Sequence, residues 1–293
     1  MRNILISISL FSVFVTIVSC GGPEKTSNTD TVVDSVKTTV TDDSVQSNVM
    51  YNIPSPIETF TILKISGATF DKALLNPVDN ISKYASNFSK SVNLGIYSAD
   101  LSFCLLYKQN QDVNIYLKNV NELTSSLDID GNYVQAVAQR LKTNTNNLDS
   151  IMQIVSEATV NADLYLKENQ RDNITALITT GGWIEGMYFI SNIADKTHKK
   201  DIISLVAEQK NVIKNLVKVL EQFNEDKEVA GLLTDIKDIS SIYESLIPVQ
   251  EGATTSTEKN VVSIGNNLSY ELTKEQLKSI VQKVGALRNK LTV

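Results

Sequence analysis

The sequence predicts an all-α protein: a single antiparallel bundle of about eight helices over residues 53–293. Near its C-terminus the pattern allows a small β-hairpin or a plain excursion loop. Three observations carry this expectation. From Pro54 onward, apolar residues recur at steps of three and four, as one face of a helix requires. Capping residues and breakers cut that pattern into segments of helical length joined by short connections. Only residues 249–272 carry β-branched runs, on either side of Gly265-Asn266-Asn267.

Taken in order, Ser55 and Pro56 suit the cap and first turn of a helix over IETFTILKISGATFDKALL. Asn76-Pro77 ends it, because the residue before a proline disfavours the α region. Asp79 opens a long helical run to Leu127, which Asn93-Leu94-Gly95 bends or divides. A turn at Asp128–Gly131 precedes a short helix around Tyr133–Leu141. Asn147 caps the next helix, LDSIMQIVSEATVNADLYLK, and Arg171 to Asp195 forms another. Residues 199–223 show the cleanest amphipathic pattern, with Ile202, Leu205, Val206, Ile213, Leu216 and Leu220 in register. Glu228 to Ile247 follows, ended by Pro248. Thr273-Lys274-Glu275-Gln276 then fits a capping box for a last helix that stops near Leu291.

The N-terminus is of another kind. MRNILISISLFSVFVTIVSC has a positive n-region at Arg2, an apolar h-region from Ile4 to Val18, and small Ser19 before Cys20. The apolar run is too short for an ordinary membrane-spanning helix, which needs roughly 20 such residues. Ile17-Val18-Ser19-Cys20 resembles the lipobox of bacterial lipoproteins. That resemblance implies a signal peptide over residues 1–19, cleavage before Cys20 and acylation, including palmitate, at Cys20. Two or three acyl chains at one point make a stable anchor, since each buried CH₂ contributes about 0.8 kcal/mol.

Residues 20–52 then read as a flexible polar tether, rich in Ser, Thr and Asp and without a helical period up to Met50. About 30 such residues span roughly 30 Å. Within it, Asp30-Thr31-Val32, Asp34-Ser35-Val36 and Asp43-Ser44-Val45 resemble acceptor sites of periplasmic O-glycosylation in some Gram-negative bacteria, which would modify Thr31, Ser35 and Ser44. The biased composition of the segment also accounts for the triplets. The lipobox, the tether and the helical body together resemble uncharacterised helical lipoproteins of the Gram-negative envelope. The resemblance implies an exported protein anchored to the outer membrane, facing the periplasm or the cell surface.

Composition narrows the chemistry. The net charge is −6, which argues against a nucleic-acid partner. His198 is the sole histidine, so a histidine-based zinc or iron site is excluded, and no metal or cofactor is expected. Asp128-Ile129-Asp130-Gly131 looks like a calcium loop, but with Gly131 at loop position 6 the bidentate glutamate of position 12 is replaced by Val137. No nucleophile elbow, P-loop or dinucleotide fingerprint is present. Cys104 has no partner besides Cys20 and reads as a small buried residue.

Four carboxylates, Asp100, Glu157, Asp163 and Glu185, sit in apolar helical surroundings, where two that meet could serve as acid and base. Two stretches stand out. In NLGIYSADLS, Tyr97, Asp100 and Cys104 share a helical stripe with small residues alongside. In TTGGWIEGMYF, Gly181, Glu185 and Tyr188 do the same beside Trp183. Glycines inside a helix cost close to 1 kcal/mol each, which calls for a compensating contact. One account is a close helix crossing at Gly182, Gly186 and Ala99, with Tyr97 or Tyr188 hydroxyls satisfying Asp100 or Glu185. The other makes Tyr97, Asp100, Trp183, Glu185 and Tyr188 the wall of a pocket between helices. The functional expectation is a membrane-tethered, non-catalytic binding or scaffolding module, with an envelope protein or a small ligand as its partner. Enzymatic activity is not expected. The alternative is a carboxylate-dependent hydrolase acting on a glycan through two of Asp100, Glu157 and Glu185.

Overall fold

Ten α-helices and one two-stranded sheet make up the residues that the computed structural model describes, 53–129, 131–144, 146–250 and 268–293. The order is α1 (Pro56–Ile65), 3₁₀ turns Lys72–Leu74 and Val78–Lys83, α2 (Asn87–Leu106), α3 (Asn110–Ser126), α4 (Gly131–Thr143) and α5 (Leu148–Glu168). It continues with α6 (Asp172–Thr197), α7 (Lys200–Ala207), α8 (Gln209–Glu221), α9 (Lys227–Glu244), β1 (Ile247–Gln250), β2 (Leu268–Glu271) and α10 (Lys274–Thr292). The architecture is the all-α bundle that the periodicity predicts. Cys20, the tether and the triplets at Thr31, Ser35 and Ser44 lie outside the described residues.

Helices α2 and α6 form the centre, because they are apolar or small-residue on nearly every face, whereas a surface helix carries one apolar stripe. They pack along each other, and α1, α3, α5, α7, α8 and α10 surround them. Phe60 of α1, Phe103 of α2 and Phe189 of α6 meet with ring centroids 4.7–5.3 Å apart, a spacing that favours aromatic pairs. Hydroxyls at the interface are satisfied within their own helix. Ser91, Ser98 and Ser102 donate to the carbonyls of Asn87, Leu94 and Ser98, and Thr180 donates to that of Ala176.

The close crossing exists, but its tightest contacts are at Gly95 and Gly181. A Cβ on Gly95 would stand 2.0 Å from the Ile178 carbonyl oxygen, and one on Gly181 would stand 1.9 Å from that of Val92. The helix backbones are therefore in contact at Gly95 and Gly181. Gly182 also lies at the crossing, where a Cβ would stand 3.2 Å from the Pro56 ring and 3.6 Å from the Gly95 carbonyl oxygen, whereas a Cβ on Gly186 would meet nothing within 4 Å. Gly95 does not divide its helix, which runs unbroken from Asn87 to Leu106. Placed within α2, it lets α6 approach.

The remaining differences concern helix ends. α1 stops at Ile65, well before Asn76, because Gly67 takes the left-handed conformation at φ 75°. The run after Asp79 becomes a 3₁₀ turn, then α2 and α3, with Lys108 left-handed at φ 57° between the two helices. Residues 199–223 divide at Glu208 into α7 and α8. These two extra breaks raise the count from about eight to ten.

Four helices end in one motif, with left-handed Gly67, Lys108, Asp128 and Gln170. In each, the next residue's N–H closes a six-residue turn, as in Gln109 N–H to Cys104 O at 2.9 Å and Arg171 N–H to Leu166 O at 2.8 Å. Three starts follow the predicted caps. Ser55 donates to Glu58, Asn147 accepts from Ser150 N–H at 3.1 Å, and Thr273 and Gln276 form the reciprocal capping box at 2.9 and 3.2 Å. A hairpin is present, but its first strand is Ile247–Gln250, so Pro248 lies in β1 rather than ending α9. Ile247 pairs with Glu271 and Val249 with Ser269. The run Val261–Ile264 lies outside the described residues.

Gly95→Ala and Gly181→Ala each force a methyl into a carbonyl oxygen, and each is expected to destabilise the fold by more than about 3 kcal/mol or prevent folding. Gly186→Ala has open space and should raise stability by up to about 1 kcal/mol through helix propensity. Chemical denaturation of the three variants checks the contrast. Equal stability of all three would place the crossing elsewhere.

Candidate functional site: a buried Asp–Glu–Arg cluster

Asp100 in the middle of α2 and Glu185 in the middle of α6 are both fully buried, and they meet beside the glycine crossing. Their carboxyls are in hydrogen-bond contact. Arg288 of α10 closes the group with a two-pronged bond to Glu185, Nε to Oε2 at 2.9 Å and Nη2 to Oε1 at 2.8 Å. Its Nη2 also donates to the Leu74 carbonyl at 3.1 Å, and its guanidinium lies 4.4 Å from the Tyr188 ring centroid. Asp100 additionally accepts the Asn76 backbone N–H at 3.3 and 3.4 Å.

One cation neutralises only one of two carboxylates, so the other keeps its proton. The arginine fork engages both oxygens of Glu185, which places the proton on Asp100. Burial, then the Glu185 charge, hold Asp100 well above the usual carboxylate range, with Arg288 and the Asn76 N–H pulling the other way. Burial also raises Glu185, against the bond and charge of Arg288. The cluster is thus Asp100–OH, Glu185 carboxylate and Arg288 guanidinium, with zero net charge.

A second layer surrounds it. Asn76 is wholly buried, Val78 is half-buried and Pro77 is exposed, and side chains satisfy the three carbonyls of this segment. Tyr116 donates to Asn76 O at 2.7 Å, Tyr97 to Pro77 O at 2.9 Å, and Asn119 to Val78 O at 3.0 Å. The Asn76 amide donates to the Tyr84 hydroxyl at 3.2 Å, and that hydroxyl reaches Thr292 O at 3.5 Å. Asn93 donates to Leu291 O at 2.9 Å, so the end of α10 is held by polar bonds as well as by packing. Burial pushes the phenols of Tyr84, Tyr97 and Tyr116 upward, and they stay neutral donors.

Of the five residues predicted to line a pocket or buried network, Asp100 and Glu185 come together and Tyr188 reaches them through Arg288. Tyr97 serves the Pro77 carbonyl rather than either acid, and Tyr188 contributes its ring, not its hydroxyl. Trp183 stands apart, its indole N–H donating to Gln209 at 3.2 Å beside Pro54 and Pro56. The cleft there measures about 10 Å³, room for a single water molecule. Glu157 is on α5 and paired with Arg140 at 2.7 Å. Asp163 is half-buried on α5, raised by that burial and eased by Thr175 of α6. Cys104 is buried, as expected.

Arg288 and Asn76 were missed by sequence reasoning. A signal for Arg288 exists, because it continues the stripe Leu277, Ile280, Val284 on which only apolar residues are otherwise expected. For Asn76 no sequence signal separates a buried turn from an exposed one.

The arrangement holds helices together better than it turns over a substrate. Glycosidase carboxyls stand about 5–9.5 Å apart with a sugar between them, whereas these two touch. An aspartic dyad shares a proton in the same way but faces a water, and here Arg288 and Asn76 cover the free sides. Among the described residues no group of three His, Cys, Asp or Glu side chains could hold a metal, and no helix is long and apolar enough to cross a membrane. No protein-family model, curated protein or solved structure matches this chain.

Native Asp100 keeps a proton that the unfolded chain releases above about pH 4. Stability should therefore fall as pH rises from that point until Asp100 ionises, at about 1.4 kcal/mol per pH unit for this one proton. Asp100→Asn preserves the shape and one donor, and it should flatten that slope in denaturation curves collected across pH. An unchanged slope would mean that Asp100 is ionised in the fold. Arg288→Met strands the Glu185 charge and should cost about 3–5 kcal/mol at neutral pH.

Proposed function

We propose that the chain is a lipoprotein anchored through Cys20 to the bacterial envelope, the outer membrane by resemblance, whose helical body acts as a non-catalytic binding or scaffolding module. The observation that carries the non-catalytic part is the sealed cluster. Its two carboxylates are the ones best placed for chemistry, and both are wholly buried and fully engaged by Arg288 and Asn76. A hydrolase using Asp100 and Glu185 would have to displace the arginine fork and part α10 from α6, at the cost of a buried unpaired charge. That reading has less support.

The small-ligand form of the binding reading was expected around Trp183, where the cleft accommodates no more than a water. A partner protein engaging the outside of the body is the form the geometry favours. The anchor rests on the lipobox, and the tether of residues 20–52 would let the body reach a partner some distance from the bilayer. O-glycosylation at Thr31, Ser35 and Ser44 would extend that tether further.

Detergent-phase partitioning of the expressed chain tests the anchor. The parent should enter the detergent phase and Cys20→Ser should stay in the aqueous phase, and equal partitioning of the two would exclude acylation at Cys20. Crosslinking in intact cells followed by a pull-down with the parent and the Asp100→Asn chain tests the module. Capture of the same envelope protein by both is expected, since Asp100 has no contact with the outside.

A further inference from the structure

One end of the bundle departs from the acidic character of the chain. The end of α1, the turn that follows it, the end of α2 and the α6–α7 corner converge there. Lys199 Nζ donates to the Ser66 and Gly67 carbonyls at 3.1 and 2.8 Å, Lys64 donates to Leu106 O at 2.6 Å, and Tyr107 donates to Ala68 O at 2.8 Å. Lys196 pairs with Asp71 at 3.0 Å and Lys72 with Asp112 at 2.6 Å. Exposed Lys108 and Lys200 complete the corner. Lysines outnumber aspartates here even when Asp195 and Asp201 are counted, although the whole chain carries −6.

Amid these lysines stand Ile65, 81 % exposed, and Ile62, 49 % exposed and one helical turn earlier. Binding helix-terminal carbonyls accounts for Lys64 and Lys199, which satisfy groups that a helix end leaves orphaned. It does not account for two isoleucines in water. Apolar side chains ringed by lysines suit the boundary of an anionic bilayer. There the isoleucines enter the acyl margin while the ammonium groups stay with the phosphates.

We propose that this end of the body is a docking face for an anionic phospholipid surface, with Ile62 and Ile65 inserting and Lys64, Lys108, Lys199 and Lys200 engaging the headgroups. It extends the tethered reading, since a body held to a membrane meets lipid at high local concentration, but it depends on surface residues alone. The face orients the body. Docked, the α1–α6–α7 corner is covered, leaving the opposite end of the bundle to a partner.

The test uses the full chain carrying Ile65→Trp, with Trp183, 6 % exposed, as the internal reference. Emission is followed on vesicles of brominated phosphatidylcholine with and without phosphatidylglycerol. On the anionic vesicles the added emission should be quenched and shifted to the blue, and high salt should reverse both. On phosphatidylcholine alone it should match the emission in buffer. Adding Lys108→Glu and Lys200→Glu, which remove no carbonyl contact described above, should abolish the quench. The face is wrong if the added emission stays water-like on anionic vesicles, whether or not the chain sediments with them. Quenching that is equal on both lipids would also overturn it. Repeating the measurement with Cys20→Ser separates the two readings. Persisting quench supports the face without the acyl anchor, whereas loss of sedimentation and quench together would reduce the face to a consequence of anchoring and overturn it as a docking site.

Discussion

At Gly95 and Gly181 two helix backbones touch with no side chain between them, and the rest of the interior is arranged around that contact. Because α2 and α6 lie so close, Asp100 and Glu185, about one turn further along the two helices, are brought together whether or not their charges favour it. Two acids forced into hydrogen-bond contact without water need a proton and a cation. Asp100 keeps the proton, and α10 supplies the cation as Arg288. The glycines thus set the distance, the distance sets the protonation, and the protonation sets how the last helix must dock.

A neutral cluster of this kind contributes little net stability, since apolar residues of the same volume would pack as well without a desolvation cost. Its effect is on alternatives. A shift of α10 by one turn would leave Glu185 facing an apolar side chain and strand a buried charge. The Leu74 carbonyl and the Asn76 N–H join the same network, so the 3₁₀ segment between α1 and α2 is fixed to the same centre. The tyrosines and Asn119 that satisfy the carbonyls of residues 76–78 hold a non-helical stretch against the core, where a buried unpaired backbone group would cost about 1–3 kcal/mol.

The contrast between interior and surface bears on function. The interior acids Asp100 and Glu185 are wholly buried and engaged by Arg288 and Asn76. At one corner of the surface, lysines from four segments converge around exposed isoleucines, although the whole chain carries −6. The proposed docking at this corner would give the body a preferred orientation at an anionic boundary.

The amino-acid order alone determined the class of fold, because periodicity of three and four and the caps at Ser55, Asn147 and Thr273 are local properties that tertiary packing had no reason to override. It also marked Asp100, Glu185 and the glycines as a place of close approach, since buried acids and helix-interior glycines are costly without compensation. Where helices stop was less legible. Lys108, Asp128 and Gln170 end helices in a conformation that glycine usually supplies, so the break after α2 carried no glycine or proline to announce it. The partner choices belonged to tertiary structure entirely. Which glycine meets which carbonyl, and that the counter-charge for Glu185 comes from a residue 103 positions away, depend on how three helices lie in space. Spacing along the chain holds no record of that, because contact between distant segments is decided only when their surfaces pack.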